Sequence, residues 1–163
     1  MTKLMAVIAM ITVALCATFS TPEFFAKNTF LSSFITFELL NILAVILTVT
    51  LASIANIHLS LNKIVRAVFK DRAKGTEAAN RVRREINQNG WLLFWLFIAA
   101  CGLLFFKGAY ETPPVFVLSF VHSFGLVLLL TNMLVLCDIY QVIYQIVNME
   151  THHPSAGPTD FGA

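Results

Sequence analysis

Residues 35–62, ITFELLNILAVILTVTLASIANIHLSLN, make an apolar run of bilayer-crossing length that nevertheless carries Glu38, Asn41, Asn56, His58 and Asn62. A transmembrane helix needs roughly 20 mostly apolar residues, and four stretches of the chain qualify: about 4–22, 31–57, 90–108 and 114–147. With 58% hydrophobic and 12% charged residues, and a mean hydropathy of +0.77, there is too little polar surface to cover a soluble globule of 163 residues. The sequence therefore predicts an all-α integral membrane protein with four transmembrane helices.

The first stretch, Lys3 followed by LMAVIAMITVALCATFS, resembles a secretory signal peptide in its basic start and apolar core. A lipoprotein cleavage site takes a small residue before the cysteine, and Leu15 precedes Cys16. The stretch is accordingly read as a retained helix. Of eleven Lys and Arg residues, eight lie between the second and third stretches and Lys3 precedes the first, leaving only Lys27 and Lys107 on the other side. Basic residues accumulate on the cytoplasmic side, so both termini and the loop are expected there. The net charge of +2 is then a topology signal, with anionic lipid as a further contact, and no nucleic-acid-binding motif is present.

The second and fourth helices can run without a break over about 31–70 and 114–149, longer than the hydrocarbon core requires. Both are expected to extend into the cytoplasm and, with about 58–89, to form a small collar on a transmembrane domain of residues 1–149. Gly75 marks the expected bend, and TEAANRVRREI reads as a short helix in which Glu77 and Arg81 pair at i, i+4. The outer loops STPEFFAKN and KGAYETPP contain proline, and the tail over 150–163 has a disordered composition. Cys16, Cys101 and Cys137 stand singly in apolar context and read as small core residues.

At 100° per residue, Glu38, Asn41, Thr48, Ala52, Ala55, Asn56 and Asn62 fall in a stripe about 120° wide that Lys63, Arg66 and Lys70 continue. Small and amide residues on one face suit close helix packing in lipid, the reading favoured for Thr48, Ala52 and Ala55. An ionisable group inside the membrane also suits a water-filled path, and for Glu38 with Asn41 both readings stay open. Glu38, Asn41, Thr48, Asn56 and Asn62 are thus the candidate pore or subunit-interface residues. Glu38 and His122 each lie about 10 Å inside the outer end of their expected helices, which makes them a candidate intramembrane pair. On the fourth helix Ser119, Ser123, Gln141, Tyr144, Gln145 and Asn148 share an arc with Asp138 at its edge, a cytoplasmic mouth or an interfacial anchor. Arg66, Lys70, Arg81, Arg83 and Arg84 are the candidate contacts for anionic lipid or a cytosolic protein partner.

There is no HExxH, GxSxG or phosphate-loop motif and no carboxylate pair at helical spacing. His58 and His122 lie at opposite ends of their helices, which does not suit a shared haem. The expectation is a non-enzyme without cofactor or metal. Two classes remain: a homo-oligomeric channel or pore, and a membrane-anchored sensor or scaffold docking a cytosolic effector. The short first span, the long second helix FELLNILAVILTVTLASIANIHLSLNKI, the basic loop and two further spans resemble small multi-span membrane effectors of bacterial anti-phage defence. That resemblance implies a homo-oligomer in the bacterial inner membrane that permeabilises or depolarises it, or reports phage attack to a cytosolic effector.

Overall fold

Helix is the only regular structure among the described residues, as expected where a backbone must satisfy its own polar groups in lipid. The computed structural model describes the backbone of residues 2–68 and 72–152, and the side chains of 5, 7–61, 76–77 and 79–145. The side chains of Asn62, Arg66 and Asn148, the whole of Lys70, and residues 153–163 of the tail lie outside these. The elements are α1 (Thr2–Ser20), α2 (Pro22–Ala26), α3 (Thr29–Phe34), α4 (Phe37–Val68), α5 (Arg72–Gly108) and α6 (Val115–His152). Three segments are long and apolar enough to cross a membrane: Phe37–Leu61, Ala79–Gly108 and Val115–Gln145. The apolar part of α1, Val7–Ser20, is shorter.

The outer connections fold further than expected. Pro22 opens α2 at a position where its missing N–H costs nothing. Lys27 donates to Glu23 Oε2 at 2.6 Å, one turn back, and this ammonium holds the Glu23 carboxyl below the usual carboxylate range. Asn28 caps α3 by accepting from the Leu31 N–H at 3.1 Å.

The expected unbroken helix from residue 31 is interrupted at Ile35 and Thr36. The Thr36 hydroxyl donates to the Ser33 carbonyl at 3.0 Å and accepts from the Glu38 N–H at 3.4 Å, closing one helix and starting the next. Gly75 does not bend the chain, because α5 runs through it from Arg72, and the short helix expected near TEAANRVRREI is the first part of that element. At 37 residues α5 rivals α6, so the third helix is extended as well as the second and fourth. The Glu77–Arg81 ion pair does not form among the described residues; Arg83 Nη1 instead meets Asn80 Oδ1 at 3.4 Å. Helix α6 continues to His152, past the expected start of the tail. The three cysteines are free, but Cys16 and Cys137 are exposed and Cys101 half-buried, so they are not core residues.

The chain divides into two compact units. The first comprises Met1–Thr48 and Leu92–Val135. Its core gathers Leu31, Ile35, Leu39, Leu43, Ala100, Leu103, Val121 and Leu128. Gly125 admits Ile35 there: a Cβ on it would lie 2.7 Å from Ile35 Cδ1. The second comprises Val49–Trp91 and Leu136–Ala163, with a smaller core of Ile54, Ile86 and Val142.

Candidate functional site

The buried positions of α4, namely Leu39, Leu43, Thr50, Ile54 and Leu61, cluster about 130° round the helix from Glu38, and the polar stripe centres near 300°, almost opposite. In the first unit Glu38, Asn41 and Thr48 are exposed while Leu39 and Leu43 are sealed. The second unit repeats this, with Ala52, Ala55 and Asn56 exposed and Ile54 and Leu61 buried. The stripe is not purely polar: Val45 and Leu59, 63% and 68% exposed, lie on it.

Its members differ in what they need. Thr48 closes on its own helix by donating to the Ala44 carbonyl at 2.8 Å. Among the described residues, the amides of Asn41 and Asn56 have no hydrogen-bond partner. An unpartnered amide facing hydrocarbon costs a few kcal/mol, so these two require water or a neighbour.

Glu38 sits in the first turn of α4, one residue into the segment Phe37–Leu61, rather than deep within a longer helix. There it stands beside the partial positive charge of the helix N-terminus. The break at Ile35 also removes the expected match in depth with His122, which lies seven residues into Val115–Gln145. No hydrogen bond or ion pair joins the two. His122 is fully buried, and its Nδ1 meets the Phe25 carbonyl at 2.8 Å.

The other polar groups of the first unit gather on α6 and on the helices beside it. Thr18 and Ser123 join α1 to α6 through hydroxyls 2.7 Å apart. Lys107 Nζ donates to the Ile35 carbonyl at 2.9 Å, satisfying an acceptor at the α3–α4 break. Ser119 Oγ, His122 Nε2 and Asn132 Oδ1 are buried without a protein partner. Asn132 does not meet Thr48, although a simple count of turns sets them at one level. The expected arc on α6 therefore divides: Ser119 and Ser123 are buried in the first unit, while Gln141, Tyr144 and Gln145 are exposed in the second.

In the second unit Asn89 Nδ2 donates to Asp138 Oδ2 at 2.8 Å, and Tyr140 and Tyr144 stack with centroids 6.4 Å apart. His58 is half-buried, its Nε2 without a protein partner. Arg81 and Arg84 are exposed on α5 and Arg83 is half-buried. Among the described residues no three His, Cys, Asp or Glu side chains come together as a metal site would need. No family model, curated protein or solved structure matches the chain.

Proposed function

We propose that this chain is a homo-oligomeric membrane protein of channel or pore type, in which the uncovered face of α4 is turned toward neighbouring copies around a shared axis. The observation that carries this reading is the pair Asn41 and Asn56, amides exposed on the face of α4 opposite its buried one. Copies of the same helix, or water between them, satisfy both, and a ring of subunits supplies the aqueous width that one small helical chain lacks. Helix α1 serves as a fourth, short crossing, and the lysine and arginine distribution places both termini in the cytoplasm.

Ion flux through liposomes containing the purified protein tests it. Asn41→Leu is expected to lower the flux by about tenfold, since losing one hydrogen-bonding amide from the path raises the barrier by about 1–2 kcal/mol. Glu38→Gln is expected to weaken cation preference with insertion unchanged. If no condition yields flux and both substitutions change only oligomer size, the channel reading fails. The exposed Arg81 and Arg84 then favour the scaffold, and a cytosolic protein lost on their substitution identifies it.

A further inference from the structure

Independently of what α4 faces, two of the buried hydrogen-bonding atoms of α6 that the protein itself does not satisfy stand one turn apart, while the third, Asn132 Oδ1, lies further along the helix. His122 and Ser119 are each 0% exposed, and neither His122 Nε2 nor Ser119 Oγ has a protein partner. They stand three residues apart on one helix, the spacing that brings side chains together on one face. The contact at the other ring nitrogen fixes their chemistry. A carbonyl oxygen only accepts, so at 2.8 Å from the Phe25 carbonyl His122 Nδ1 carries the hydrogen; a fully buried ring with no carboxylate paired to it among the described residues is neutral, so Nε2 presents a lone pair. Ser119 offers the complementary hydroxyl. The neighbouring serine does not compete, because Ser123 is engaged by Thr18 at 2.7 Å and by the Phe120 carbonyl at 3.1 Å.

We propose that Ser119 and His122 form a binding site for one buried water, which donates to His122 Nε2 and accepts from the Ser119 hydroxyl. Water matches the hydrogen-bonding needs of both atoms where other ligands do not. A metal ion would find a single imidazole, with no cluster of three His, Cys, Asp or Glu among the described residues. An apolar group would leave both atoms unsatisfied, whereas buried waters characteristically bridge such groups.

Solid-state NMR of the full chain in lipid bilayers, with 15N-labelled histidine and the His122 signals assigned by their loss in His122→Gln, tests the site. The expected spectrum has a protonated Nδ1 and a bare Nε2 that receives magnetisation from a water proton. Ser119→Ala is expected to abolish that transfer while the Nδ1–H signal persists, which also reports that the variant is folded. A protonated Nε2 with a bare Nδ1 overturns the proposal, as does transfer to Nε2 from the Ser119 hydroxyl itself or no transfer at all. Survival of the water signal in Ser119→Ala overturns it too. If that variant loses the Nδ1–H signal, the wild-type spectrum decides alone.

Discussion

Lys107 illustrates how a single side chain can answer two demands. As one of only two basic residues assigned to the outer side, it reads in the sequence as a topology marker. In the fold its ammonium reaches the Ile35 carbonyl, an acceptor beside the break between α3 and α4. A charge-assisted bond to a group in a fully buried residue exceeds a neutral one, so Lys107→Met is expected to destabilise the first unit by about 1–3 kcal/mol. Lys107→Arg, which keeps the donor, is expected to lose less. Steric trapping or detergent titration in bilayer-like micelles measures both, and equal losses would sink the assignment. The partner was not legible beforehand, because every residue offers a carbonyl and only the chain's path decides which one goes unbonded. The Thr18–Ser123 bridge was hidden for the same reason: hydroxyls one hundred and five positions apart share no periodicity.

At the scale of elements, the existence of long apolar helices was legible, since length and hydropathy suffice, but their ends were not. Gly90 and the break at Ile35 show why. Asn89-Gly90 is a turn dipeptide, yet α5 passes straight through it, because Asn89 bonds Asp138 and Gly90 packs beneath Ile54. Conversely, nothing apolar in the run from residue 31 announces the stop at Ile35, which Thr36 and Lys107 impose together. That missed stop is what carried Glu38 too deep and suggested a pair with His122. The glycines also make a paired prediction. At Gly125 a methyl would lie 2.7, 3.0 and 3.2 Å from three atoms of Ile35, including both γ carbons at its branch point, so Gly125→Ala is expected to cost about 1–3 kcal/mol of overpacking. At Gly90 the close atom is only the flexible Cδ1 of Ile54, at 2.9 Å. Alanine gains about 1 kcal/mol of helix propensity over glycine, so Gly90→Ala is expected to be near neutral. Comparing the two unfolding free energies checks the distinction, and a larger loss at Gly90 would contradict it.

Across the whole molecule, the helices differ in how much of themselves the chain covers. Half of the most apolar stretch of α6 is buried, against 28% for α5 and 22% for α4, so α4 is the least covered of the three long apolar segments. In lipid, exposed Leu, Val and Phe need no partner, and most of the exposed large side chains here are of that kind. Asn41 and Asn56 are different, and they lie on the side of α4 turned from its buried positions. That the stripe exists was legible from the 3.6-residue period; that its members lie off each unit's own buried face depends on Leu39 and Leu43 being buried in the first unit and Ile54 and Leu61 in the second. A homotypic contact makes a geometric prediction that does not depend on conduction. With Cys16, Cys101 and Cys137 replaced by alanine, single cysteines at Asn41, Thr48, Ala52 or Asn56 are expected to form disulfide-linked dimers in native membranes under mild oxidation. A cysteine at Phe105, 85% exposed on α5, or at Val13, 68% exposed on α1, is expected to stay monomeric, since the proposed α4 interface leaves those faces to lipid. Non-reducing gels at low expression read the result. Equal dimer yields at all six positions would mean collision rather than contact, and cross-linking confined to Phe105 or Val13 would move the subunit interface off α4 altogether.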